Sequence, residues 1–364
     1  MIDGTGHPRG MFSHLRRSLA RWCASLVCLS ALAPSATAQD WVTPEYCAIT
    51  DDQIAALTTA DLVDPTADEP ENGLGRLWQI TSSDGAVSHL WGTMHSSDAR
   101  ILRLPQTMRD HLDQSRILAL EVDFRFADRD AMVETYSYAN WWQDPWLPHK
   151  PVLFLAGADP RIEKWIENRV LSQGYQADDY RHMSPGGILS LLLGDPCDDF
   201  NAGLIPYQDY YLMSLAHIHG TPIMGLESPD AMMTMINDPA NIDYAQAMIT
   251  TYGAYLEPQE TNAARINFMA QYHRGQIGQM MVADDVYVAD LLGPNGQAAV
   301  ALRDDYLLSQ RNRDFLAAAM GELEEGGLFV AIGAFNLPGE TGLVTMMRDA
   351  GFAVVRIPVE GEDE

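Results

Sequence analysis

The chain is short of positive charge, of cysteine and of familiar catalytic motifs. Its 364 residues include 23 Lys and Arg against 50 Asp and Glu, a formal net charge of −27. Such an excess repels nucleic acid and anionic membrane surfaces, so neither is an expected partner. It would suit a divalent cation, yet a solvated acidic surface gives the same balance, and charge alone names no ligand. There is no H-E-x-x-H, no G-x-S-x-G and no phosphate loop, which sets aside zincin, α/β-hydrolase and P-loop chemistry. The apolar stretch from Ala24 to Ala33 is too short and too interrupted to span a bilayer.

That stretch has another reading. Arg16, Arg17 and Arg21 precede it, and Ala36-Thr37-Ala38 follows it ahead of Gln39. A basic segment, a short apolar core and a small-x-small cleavage site make an export signal. The expectation is a signal over residues 1–38, cleaved near Ala38, and a soluble periplasmic or secreted protein with no membrane insertion afterwards. Cleavage would remove Cys23 and Cys28 and leave Cys47 and Cys197. In an oxidising compartment these two suggest one disulfide, tying the N-terminal arm to a mid-chain loop; two unpaired buried thiols are the alternative. Two thiolates are too few for a cysteine-held zinc site.

After an acidic arm over residues 39–75, Arg76 to Thr81 and Ala86 to Gly92 read as two strands around the turn "SSDG". A helix is expected from Pro105 to Asp113. "RILALEVD", Arg116 to Asp123, reads as a strand buried on both faces. Arg161 to Leu171 and Pro206 to His219 are helical, the second closed by Gly220. Thr221 to Glu227 returns as a strand, and from Asp230 to about Glu322 the pattern is helical. Leu328 to Ile332, a helix from about Glu340 to Asp349 and a strand from Phe352 to Ile357 complete the pattern. Strands alternating with helices at both ends, around a long helical insertion, predict an α/β fold with a mixed central sheet. The expected organisation is one domain over residues 76–358 with an acidic tail at 359–364.

Several polar residues fall at predicted strand ends. His95 follows "LWGTM" just beyond Gly92, Glu121 and Asp123 close "LALEVD", and Glu227 closes "PIMGLE". A carboxylate at the end of an apolar strand is costly to bury alone, so each needs a partner; Arg125 and Arg311 are candidates. Two glutamates and a histidine also make the beginnings of a metal site, or of an acid–base pair. "LWGTMH" and "AIGAFN" both run strand, glycine, two residues, polar side chain, which would bring His95 and Asn336 to a shared site. His217 and His219, two apart on a helix, point in different directions and cannot chelate together. His273 would reach the site only if the helical block folds over it. The aromatic stretch Tyr136 to Trp146 either lines a cleft or packs on the core.

The blocks "LWGTMHSSD", "LALEVD", "QDYYLMSLAHIHGTPIMGLES", "LLSQRNRDFLAAAM" and "FVAIGAFNLPGETGLVTMMRDAGFAVVRI" occur in the order found in the TraB/GumN family, which the chain resembles from about Leu77 to Pro358. That family's animal branch includes the Tiki proteases. The resemblance implies a divalent-metal-dependent hydrolase acting on peptide bonds, with two G-x-x-H motifs and glutamates in its site. The first motif matches as Gly92 to His95. The second reads Gly333, Ala334, Phe335, Asn336, with asparagine where the family has histidine. On this resemblance Glu121, His95 and Arg311 would carry catalysis. Asn336, Asn312, Gly92 and Gly333 would contact a peptide or protein substrate, and His95, Glu121, Glu227 and Asn336 would hold the metal. An amide oxygen is a weaker ligand than imidazole, which leaves Mn²⁺ or Co²⁺, or the harder Ca²⁺ or Mg²⁺, as the expected ion. The other expectation is a degenerate member that binds without turnover in the periplasm or in envelope assembly.

Overall fold

The computed structural model describes residues 44–123, 125, 141–142, 159–201 and 206–362. The expected export signal lies outside the described residues, as does most of the aromatic stretch, of which Trp141 and Trp142 are described. The fold is α/β, built on a mixed six-stranded sheet. Its strands are β1 (Leu77–Thr81), β2 (Val87–Thr93), β3 (Ile117–Val122), β4 (Ile223–Glu227), β5 (Leu328–Gly333) and β6 (Ala353–Ile357), in the spatial order β4-β3-β5-β2-β1-β6. β4, β3, β5 and β2 run parallel, while β1 lies antiparallel to both β2 and β6.

Apolar alternation along the strands explains the layers. On β5, Val330 and Ile332 face one side with Phe315, Leu323, Val344 and Met347, from the helices Arg311–Glu325 and Leu343–Asp349. Phe329 and Ala331 face the other side with Met108, Leu112 and Leu212, from the helices Gln106–Asp113 and Gln208–His219. A strand covered on both faces must be apolar throughout, and Leu328 to Ile332 are all buried. The helical insertion has a core of its own, with Ile162, Ile166, Ile188, Ile249 and Val288 fully buried in it.

The predicted elements are present with ends shifted by a few residues. Pro105 stands just outside its helix rather than in the first turn. The helix expected from Pro206 begins at Gln208, and the one expected from Glu340 begins at Leu343. Residues 44–62 are more structured than the sequence pattern implies. Three short helices form there, and capping boxes at Thr50 and Thr58 satisfy the first free amides of two of them. The expected acidic tail is tied back to the domain at Glu362. The Glu362 side chain is fully buried, 3.0 Å from the Arg76 guanidinium and 3.1 Å from Arg356.

Cys47 and Cys197 form a disulfide across 150 residues of sequence. A cross-link closing so long a loop removes much chain entropy from the unfolded state. Cys47→Ser is expected to lower the free energy of unfolding by about 2–4 kcal/mol, read from urea melts of oxidised protein. An unchanged midpoint would show that the arm is held by its other contacts.

Candidate functional site

The four parallel strands deliver their polar ends to one edge. In such sheets ligands bind beyond the carboxyl ends of the strands, where the chain departs to either side. Thr93 closes β2 with His95 two residues further on. Glu121 stands near the end of β3, Glu227 at the end of β4 and Gly333 at the end of β5. β2 and β5 are hydrogen-bonded neighbours with Gly92 opposite Ile332, so the two glycine-containing motifs lie side by side. Beyond the glycines they diverge. Ala334–Asn336 turns back as a single 3₁₀ turn, whereas His95 continues outward. A Cβ at Gly92 would lie 2.8 Å from Leu337 and 3.1 Å from Ala334, so the returning turn leaves no room for a side chain there.

Arg311 is the centre of the site. It follows a short π-helical stretch, Asp305–Gln310, and starts the helix Arg311–Glu325. Such stretches are frequent at functional sites. Its guanidinium donates to Glu227 at 2.5 and 3.2 Å and to Glu121 at 2.9 Å, and it rests 4.8 Å from the Phe315 ring. Glu121 also accepts the Gly333 N–H at 2.8 Å. The two carboxylates respond differently. Burial works against charge on Glu121, but Arg311, His95 and the Gly333 amide outweigh it and hold the carboxyl below its usual range. At Glu227 burial prevails over Arg311, with Glu121 adding to it, and the pKa is raised. One guanidinium between two carboxylates leaves one negative charge over.

His95 is half exposed at the mouth of the cleft, its Nε2 3.5 Å from Asp209 Oδ2. The other Asp209 oxygen accepts from the Thr93 hydroxyl at 3.2 Å. Surrounding protein disfavours the imidazolium, but Asp209, with Glu121 helping, more than compensates and raises the pKa to about 9. His95 is therefore protonated at neutral pH. Because this pKa lies above the unfolded value near 6.5, its contribution to stability is fully present below about pH 6.5 and is lost as pH rises through about 9. The His95 ring resonances are expected to titrate near pH 9 by NMR, and Asp209→Asn is expected to return that midpoint toward 6.5. A wild-type midpoint already near 6.5 would remove the pairing.

Asp209 was not singled out from the sequence, although it stands within the block "QDYYLMS". Gln208 beside it was missed as well, and its carbonyl accepts the Met94 N–H at 3.1 Å. The Tyr272 hydroxyl donates to the Gly92 carbonyl at 2.9 Å. These two side chains hold the loop that carries His95.

The structure separates the remaining candidates. Asn336 donates to the Gly333 carbonyl at 3.1 Å, and its buried Oδ1 has no hydrogen-bond partner among the described residues. Asn312 is a correction to the expected substrate contacts. It is fully buried, and its amide donates to the carbonyls of Asn336 at 3.2 Å and Thr341 at 2.9 Å, so it shapes the loop behind the site. Gly92 likewise serves packing. Asp123 pairs with Arg125 at 2.7 Å, apart from the Arg311 cluster. His219 pairs with Asp113 at 3.1 Å, and His273 lines a different cavity beside Arg76.

His95, Glu121, Asp209, Glu227 and Arg311 share one cavity of about 260 Å³. Asn336 opens with His95, Glu121, Arg311 and Gly333 into a second, of about 310 Å³. His95, Glu121 and Glu227 of the expected metal ligands line the first cavity while Asn336 lines only the second, and a guanidinium already bridges the two glutamates. Among the described residues no group of three or more His, Cys, Asp or Glu is arranged to hold a metal ion. As arranged, this donor set does not fit a divalent cation.

No curated protein and no solved structure matches the chain. The profile of the TraB/PrgY/gumN family matches residues 76–356, from the buried arginine before β1 to the end of the sheet, and on that match the chain belongs to the TraB/PrgY/gumN family.

Proposed function

We propose that the protein is exported and that the cleft at the carboxyl edge of the sheet hydrolyses peptide bonds. The observation that carries this reading is the convergence of His95, Asp209, Glu121, Arg311 and Glu227 on one cavity. Export is supported by the disulfide and by the basic and apolar leader. Among the described residues no helix is long and apolar enough to cross a membrane.

The residues divide into an acid, a base and a clamp. Glu227, with its raised pKa, is the stronger base of the two glutamates and accepts a proton from water as the water oxygen bonds to the carbonyl carbon. The oxyanion that forms lies beside two cations, the His95 imidazolium and the Arg311 guanidinium. When the C–N bond breaks, His95 gives its proton to the leaving nitrogen. Glu121, held ionised, fixes Arg311 in place and supports the charge on His95. Divalent-metal chemistry, which the family resemblance implies, would need Arg311 to release both carboxylates, and no step is assigned to it.

Incubating the purified protein with a mixed peptide pool tests the reading, with products identified by mass spectrometry in chelator and again in Mn²⁺. New termini produced in chelator support it. Cleavage confined to Mn²⁺ would mean that the guanidinium yields to the metal. Intact peptides under both conditions would favour a second reading, binding without turnover. What favours that second reading is Asn336, whose amide is turned back to Gly333 at the place where the family motif has histidine.

A further inference from the structure

Past His95 the site opens into a third cavity, of about 580 Å³, within the range of small-molecule sites. His95 lines all three cavities, so they meet at the group that faces the scissile bond. The walls of the third are aromatic. Tyr46, Tyr252, Tyr255, Tyr287 and Phe268 all contribute. Tyr252 meets Tyr255 edge-on with centroids 5.6 Å apart, and Tyr255 stacks on Tyr287 at 6.4 Å. Tyr46 adjoins Cys47, and Gly194, Asp195 and Pro196 in the same wall lead to Cys197, so the disulfide joins two sections of the rim.

Apart from the His95 imidazolium at its mouth, the charged groups in its wall are paired within the protein. Arg265 in the wall is paired with Asp195. Asp284 is paired with Arg303 at 2.7 Å, and the Tyr255 hydroxyl accepts from the same arginine at 2.6 Å. The Tyr287 hydroxyl turns away to the Ala254 carbonyl at 3.1 Å and to Glu257 at 3.0 Å. With these groups paired inside the protein, the cavity offers mainly ring surface. A cationic side chain entering it would lose hydration, face the His95 imidazolium and gain no counter-ion, whereas an apolar one gains burial.

We infer that this cavity is the specificity subsite of the cleft and that it takes a neutral aromatic side chain from the substrate, next to the bond held at His95. The inference rests on the hydrolase reading for its position but not for its ligand chemistry. Direct binding separates the two. N-acetyl-tryptophanamide is titrated into the full protein and into the Ala283→Trp variant, with N-acetyl-lysinamide as the charged control. Ala283 lies exposed on the cavity wall in the helix Ile277–Leu292, so a larger side chain there fills the space without disturbing the core.

The aromatic amide is expected to bind at least about tenfold more tightly than the lysine amide, a difference of about 1.4 kcal/mol. Ala283→Trp is expected to weaken it by about tenfold or more, with an unchanged melting temperature. Equal binding of the two amides, or binding indifferent to Ala283→Trp, overturns the subsite even if peptides are cleaved. Selective aromatic binding lost in Ala283→Trp sustains it even if no peptide is cleaved, and in that case only the hydrolase reading fails.

Discussion

Replacing His95 with alanine is expected to lower kcat/KM for peptide cleavage by about 10²–10⁴-fold, the usual loss when a positioned acid or base is removed. The fold should survive, because the ring is half exposed at the mouth of the cleft and buries little apolar surface. Two roles end together in this variant. The leaving nitrogen loses its proton donor, and the oxyanion loses one of its two neighbouring cations. Asp209 is left with an oxygen that has no other hydrogen-bond partner among the described residues. His95→Gln keeps a donor of similar reach but has no proton to give up, so its loss should remain within that same range. Steady-state kinetics on one defined peptide, with unfolding curves run in parallel, check both points. Full activity in His95→Ala would remove the histidine from the chemistry.

Arg311→Leu is expected to lower the free energy of unfolding by about 3–5 kcal/mol, as happens when one partner of a buried ion pair is deleted. The side chains of Glu121 and Glu227 are each only 12 % exposed, and the same guanidinium reaches both. Without it two nearby carboxylates cannot both stay ionised, so at least one should take up a proton near neutral pH. The variant should then regain stability as pH falls, because protonation removes the repulsion. A double variant, Arg311→Leu with Glu227→Gln, separates charge from shape. Urea melts between pH 5 and 8 should show the double variant more stable than Arg311→Leu alone. Equal loss in both would mean that Arg311 acts mainly through its contact with Phe315.

The fold was legible because its signals are local. The run "ILAL" within "RILALEVD" and the run "LFVAI" are apolar throughout, which only strands covered on both faces require, and Gly220 follows its helix directly. The strand-end positions of His95, Glu121 and Glu227 could be read for the same reason. Their connections could not. Arg311 lies 190 residues from Glu121 and 84 from Glu227, and no periodicity shows that its helix returns to the β3–β4 side of the sheet. Asp209 was hidden by its surroundings, since an acidic residue in the first turn of a helix is ordinarily accounted for by the helix dipole. Asn312 illustrates the opposite error. It sits beside Arg311 in the sequence, yet the following helical position points it into the core, where it braces the loop rather than facing a ligand. The pairing of Glu362 was not legible either, because Arg76, its partner, lies at the far end of the domain.

A pH–rate profile of peptide cleavage, recorded in excess chelator, bears most directly on a cleft that works with its glutamates clamped by Arg311 and its histidine protonated. Cleavage is expected to persist without metal, with kcat/KM falling as pH rises through about 9, where His95 gives up its proton. Activity that vanishes in chelator and returns with Mn²⁺, or a profile showing no loss near that pH, would contradict it.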